Sequence, residues 1–263
     1  MESAPPTRIL FIGDSLTSHR GKALDATFRM WGYDAAAKTM GGATLTDIWK
    51  RAGPAFAQAI QKGAYDYVVL QEDLPEYYGG GEKVVEPFRS AVANFVKCIK
   101  EANAVPILYM AHGYERLSRT SYEDICSAHH QVSRQLGVAV APGAVAHQIA
   151  NARAASLDLS LQLLEPDDEH PSDAGLYLHA LTIGLTISEM AQHGGSTSEQ
   201  GAGEELADLQ ALFPWVPTTI DDATVSFLHD AALEATKEWR RLYRIQSLRL
   251  DPAVRWSNSR KLR

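Results

Sequence analysis

Short unbroken apolar runs punctuate the chain: ILFI at 9–12, YVVL at 67–70, ILYM at 107–110 and VAVA at 138–141. Between them lie longer segments in which apolar residues recur every third or fourth position. Unbroken runs bounded by turn residues predict strands buried on both faces, and the three-to-four recurrence predicts amphipathic helices. Strands are therefore expected at Arg8–Ile12, Tyr33–Lys38, Tyr65–Gln71, Val105–Met110 and Val138–Ala141. Helices are expected at Gly21–Trp31, Leu45–Lys62, Val84–Ala102, Ser121–Leu136, Ala144–Ala155 and Ser172–Gln192, the first, second and fourth stopped by Gly32, Gly63 and Gly137. Buried strands alternating with helices imply right-handed crossovers. The expected fold is an α/β three-layer α/β/α sandwich, flavodoxin-like, on a parallel sheet of about five strands.

In such a sheet, chemistry gathers at the carboxyl ends of the strands. Polar residues stand at those ends here: Gly13-Asp14-Ser15, Gly41-Gly42, Gln71-Glu72-Asp73 and Ala111-His112-Gly113. Beyond Gln192 the pattern changes. His193–Gly203 (HGGSTSEQGAG) has few apolar residues and reads as a linker or surface loop. Asp221–Leu248 is again helical, with Val225, Leu228, Ala232, Ala235, Trp239 and Leu242 at three-to-four spacing. The expected organisation is a main domain over 1–193 and a linker with a helical extension over 194–263, packed on that domain.

Composition narrows the function. The 263 residues are 45% hydrophobic and 22% charged, ordinary for a globular chain with a sizeable core. A net charge of −7 argues against a nucleic-acid binder. The basic residues from Arg240 to the terminal Arg263 read as a solvated helix face and tail. Cys98 and Cys126 form neither a disulfide framework nor a metal motif. No apolar run nears membrane-spanning length, and the first residues lack the regions of a signal peptide, so the expected setting is cytoplasmic.

Ser15 closes Gly-Asp-Ser after the first strand, a place where a serine can simply cap a helix. A second signal lies far downstream in PDDEHPSD, residues 166–173, where Asp167 precedes His170 by three. An acidic loop and a cap would explain Ser172 and Asp173, but not the histidine. Together the two stretches resemble the first and last sequence blocks of the SGNH hydrolases, the GDSL-type esterase superfamily, over roughly residues 8–192. The resemblance implies Ser15 as nucleophile, His170 as base and Asp167 as its orienting partner, with Asp168 the rival. The chemistry requires that set: a hydroxyl is a poor nucleophile until a base removes its proton, and the imidazole must be held in one tautomer.

The tetrahedral intermediate needs donors. The Ser15 backbone N–H, near a helix start, is one. MGGATL at 40–45 resembles the family's second block, with Gly42 the donor and Gly41 the turn-former. The third block departs from the pattern. Where the superfamily carries Gly-x-Asn-Asp, this chain has LQEDLP, and Gln71 is the nearest amide, able either to donate to the oxyanion or to bind loop backbone. The wording resembles a subgroup that uses Gln-Glu at this place. Asp14 is expected to brace the turn, and with Glu72, His112 and Tyr77 to shape the substrate pocket. Tyr77, Tyr78 and Gly79–Gly81 suggest a substrate lid. His129, His130 and His179 lack ligand-spaced Cys or carboxylate partners, so neither metal nor cofactor is expected.

The expectation is a serine ester hydrolase working through an acyl-enzyme. The resemblance implies a small-molecule ester substrate, a short acyl group such as acetate on a carbohydrate or other polar alcohol. Thioesterase or lysophospholipase chemistry is an alternative, as is a degenerate carbohydrate-binding module. No nucleic acid and no membrane is expected as a partner, and a homo-oligomer remains open.

Overall fold

The first strand, β1 (Arg8–Gly13), leads into a small hairpin, β2 (Ser18–His19) and β3 (Lys22–Ala23), before α1 (Leu24–Met30) and β4 (Asp34–Thr39). Then follow α2 (Leu45–Gly63), β5 (Tyr67–Gln71), α3 (Glu82–Glu101), β6 (Val105–Tyr109), α4 (Tyr122–Leu136), β7 (Ala139–Ala141), α5 (Gly143–Ser156) and α6 (Asp173–His193). The chain closes with α7 (Leu209–Leu212) and α8 (Asp222–Leu242). This computed structural model describes residues 5–73, 82–114, 121–193 and 209–242. Tyr77, Tyr78 and the triple glycine, most of the 193–203 linker and everything past Leu242 lie outside the described residues.

Five strands pair in the order β4-β1-β5-β6-β7, all parallel, with helices on both faces. This is the three-layer α/β/α sandwich expected from the alternation of runs. Ile9, Leu10, Phe11 and Ile12 of β1 and Val68, Val69 and Leu70 of β5 are all buried, which is why those strands read as unbroken apolar runs.

Two local departures have physical causes. The first helix starts at Leu24 and not Gly21, because residues 18–23 form the hairpin. Its two turn residues, Arg20 (φ 46°) and Gly21 (φ 86°), both have left-handed backbone, as a two-residue hairpin turn requires. The second helix kinks at Ala52 (φ −146°), where Pro54 can neither donate to the helix nor tolerate the carbonyl four residues back.

The C-terminal helix α8 packs on α5 and α6. Its inner face is Leu228, Ala231, Ala232, Ala235 and Trp239, all buried, and the alanines permit close approach. Phe213 inserts against α6 where Gly184 leaves room: a Cβ there would lie 2.5 Å from the Phe213 ring. The exposed pair Arg153–Glu234 (2.9 Å) adds little beside this apolar burial. Among the described residues no helix is long and apolar enough to cross a membrane.

Candidate active site

The turn after β1 is held by Gln71 at the end of neighbouring β5. The Gln71 Oε1 accepts from the Asp14 backbone N–H (2.8 Å) and from the Thr17 hydroxyl (2.9 Å). Asp14 Oδ1 accepts from the Leu16 N–H (2.8 Å), and the Asp14 carbonyl from the Thr17 N–H (3.2 Å). A Cβ on Gly13 would stand 2.3 Å from Gln71 Oε1, so only glycine lets the amide reach the turn. Ser15 sits at the tip, partly exposed. It opens a turn and the hairpin, not a helix, so the helix start expected beside it lies nine residues on, at Leu24.

Gln71 Nε2 donates to the Glu72 carbonyl (2.7 Å), and the whole side chain is buried. The contacts it makes are those of a brace under the Ser15 turn. Oxyanion donation, the other role open to it, is not among them. The Ser15 and Gly42 backbone N–H groups, by contrast, have no acceptor among the described residues. Gly42 adopts a left-handed φ of 60°, and its loop is tied to the end of β1 by Met40 N–H donating to Gly13 O (2.9 Å).

The second half of the site is the loop 164–171. The Asp167 carboxylate takes three hydrogen bonds: from the His170 backbone N–H (2.9 Å), from the Glu169 N–H (3.1 Å) and, at Oδ2, from His170 Nδ1 (2.8 Å). Those bonds hold the Asp167 carboxyl well below the usual carboxylate range, the His170 backbone N–H having the largest effect. Asp168, with a left-handed φ of 56°, instead donates its own N–H to Glu165 O (3.0 Å). The loop closes on itself through Glu165 N–H to His170 O (2.7 Å) and Ser172 N–H to Leu163 O (2.9 Å). Lys22 of β3 pairs with Glu165 and with Asp173 (3.1 Å), fastening both ends of the loop to the hairpin.

The hairpin also supplies His19, four residues past Ser15, whose ring stacks on His170 with centroids 3.6 Å apart. Through that stack and the Lys22 pairs the His170 loop lies against the segment that carries Ser15. His170 Nε2 is buried and has no hydrogen-bond partner among the described residues. The linear pattern did not single out His19; its only signal was its place just after Gly-Asp-Ser.

Beneath the turn lies a buried polar layer. Asp14, Glu72 and His112, read from the sequence as substrate contacts, are 0%, 2% and 2% exposed and hold backbone. Glu72 Oε2 accepts from the Leu45 N–H (3.0 Å) at the start of α2, just past Gly42, and His112 Nε2 bonds Glu169 O (2.8 Å) beside His170. Their hydrogen bonds brace the two loops. Burial, then the charge of Asp73, pushes Asp14 up to about 8, and burial pushes Glu72 well above its ordinary range. Tyr114 donates to Asp73 Oδ1 (2.7 Å). Burial pushes His112 down to about 3. Two cavities of about 330 and 370 Å³ lie beside the hairpin and behind the His170 loop, and Ser15 lines neither.

No protein-family model and no curated protein matches the chain. Solved structures do. A protein from Slackia heliotrinireducens described as a candidate SGNH hydrolase is 27% identical, with a TM-score of 0.55, over 69% of this chain and 99% of its own. The acetyl xylan esterase AlAXEase is 15% identical, with a TM-score of 0.53, over 68% of this chain and 99% of its own. A catalytic mutant of Axe2, an acetylxylan esterase from Geobacillus stearothermophilus, is 17% identical, with a TM-score of 0.53, over 71% and 96%.

Proposed function

We propose that this SGNH hydrolase, a carboxylic ester hydrolase, acts through an acyl-enzyme on Ser15, and that its substrates are short acyl esters, acetate foremost, of a carbohydrate or another polar alcohol. The observation that carries the reading is the Asp167–His170 pair: Asp167 Oδ2 on Nδ1 leaves Nε2 as the basic nitrogen, buried and without a partner among the described residues, on a loop held against the Ser15 turn.

Ser15 Oγ attacks the ester carbonyl as His170 Nε2 takes its proton. The carbonyl oxygen becomes an oxyanion received by the Ser15 and Gly42 N–H groups, donors committed elsewhere to nothing among the described residues. Collapse breaks the bond to the alcohol, which leaves with the proton from His170. Water then gives a proton to His170 and attacks the acyl carbon. The acid departs and Ser15 recovers its proton. Asp167 remains ionised throughout, orienting the ring and stabilising its cation.

The acetyl preference is supported by the names of two fold neighbours, both acetyl xylan esterases. The test is hydrolysis of p-nitrophenyl esters from acetate to laurate by the wild type and by Ser15→Ala. Turnover highest on acetate and abolished by Ser15→Ala supports the reading. Activity surviving in Ser15→Ala removes the serine mechanism, and a laurate optimum removes the short-acyl substrate.

A further inference from the structure

Three histidines from three elements meet behind the His170 loop: His112 just after β6, His147 on α5 and His179 on α6. Each offers one ring nitrogen, and these atoms all lie within 4.8 Å of one another. All three residues are buried, at 2%, 6% and 0% exposure. The rings of His112 and His147 are 4.8 Å apart, and those of His112 and His179 5.0 Å. Spacing along the chain does not point to a metal here, since none of the three has a ligand partner nearby in the sequence.

We infer that His112, His147 and His179 form a structural binding site for one divalent transition-metal ion of the zinc type. The outer shell is the strongest argument. A metal-bound imidazole normally fixes its other nitrogen on a carbonyl or similar group. His112 Nε2 bonds the Glu169 carbonyl (2.8 Å), and His179 Nδ1 bonds the Tyr109 hydroxyl (2.6 Å). The opposite nitrogens, His112 Nδ1 and His179 Nε2, are buried and have no hydrogen-bond partner among the described residues. A core histidine held only for packing has no need to keep a buried ring nitrogen unsatisfied, which is costly.

Three neutral imidazoles suit zinc or copper and not magnesium or calcium, which prefer oxygen. On one tetrahedral zinc ion, with bonds of about 2.0–2.1 Å, two nitrogens stand about 3.4 Å apart. A cluster spread over up to 4.8 Å therefore closes by as much as about 1.4 Å when loaded, the rings turning out of their near-parallel stacks, 14° between His112 and His147 and 28° between His112 and His179. Gly143 at the start of α5 permits the approach: a Cβ there would lie 2.8 Å from Met110 O and 3.3 Å from the His179 ring. His147 also lines the cavity of about 370 Å³ together with Asn151 and Leu163, which provides a route for the ion. The bound ion would clamp β6, α5 and α6, and through His112 and Glu169 would hold the loop that presents His170.

The site does not depend on the esterase reading, so its test uses Ser15→Ala beside the wild type. Both proteins, stripped with chelator, are titrated with Co²⁺ and then Zn²⁺. The expected result is one Co²⁺ per chain in both, with the visible absorption of a low-coordinate nitrogen site, displaced by Zn²⁺. Zn²⁺ should raise the wild-type Tm by about 5 °C or more and leave that of His147→Leu unmoved. X-ray absorption of Zn²⁺-loaded wild type should count three imidazoles, a readout that needs no variant to fold. A second cluster, His19, Asp167 and His170, would give two imidazoles and an oxygen. No stoichiometric Co²⁺ in the wild type, a two-imidazole spectrum, or binding lost in His170→Ala but kept in His147→Leu would overturn the assignment.

Discussion

The ring of His19 lies face to face with that of His170, centroids 3.6 Å apart and planes 11° from parallel. Asp167 fixes one edge of the His170 ring, and His19 fixes its face. Burial first, then the neighbouring His170, lowers the pKa of His19, which favours its neutral form. A misplacement of about 1 Å in a reacting group can cost about 10²-fold in rate. His19→Ala is expected to lower kcat about 10-fold or more with little change in KM, and His19→Phe to restore most of it. Steady-state kinetics on p-nitrophenyl acetate decides; an unimpaired His19→Ala means the stack is idle.

Asp167 and Asp168 are adjacent, but only Asp167 bonds the His170 ring. Asp167→Asn should drop kcat by about 10²–10⁴, because an amide can present its NH2 and stabilise the wrong tautomer. Asp168→Asn should stay within about twofold. Equal losses in the two variants would reverse the assignment of the orienting carboxylate.

Gly41 and Gly42 allow a similar contrast. A Cβ meets nothing within 4 Å at either, yet only Gly42 has a left-handed φ, of 60°. Gly42→Ala costs about 1–2 kcal/mol of backbone strain if the turn is kept. It turns the N–H away from the oxyanion if the turn relaxes. The expected kcat loss is about 10-fold or more, against near-wild-type turnover for Gly41→Ala. Parallel behaviour of the two would remove Gly42 from the oxyanion site.

Asp14 makes stability depend on pH. Its folded pKa, about 8, stands above the ordinary value of 3.8, so between those values the native state keeps a proton that the unfolded chain has lost. Its contribution is full below about pH 4 and declines as pH rises towards 8, by up to about 1.4 kcal/mol per pH unit. Urea midpoints should therefore fall from pH 5 to pH 8.5 in the wild type. In Asp14→Asn, which keeps an acceptor for the Leu16 N–H, the fall should be shallower. Identical slopes would show that Asp14 does not carry the dependence.

The five-strand sandwich could be read from the chain because burial on both faces writes itself into each strand as an unbroken run, such as ILFI or YVVL. The Asp167–His170 pair was legible for a similar reason: its partners are three residues apart and bonded within one loop. Contacts between distant segments left no such trace. Gln71 could have donated to an oxyanion or held backbone, and its placement in β5, hydrogen-bonded alongside β1, aims Oε1 into the Asp14 turn. His19 on His170, and the meeting of His112, His147 and His179, arise from strand order and helix docking. Those are cooperative outcomes of packing, which no local spacing encodes.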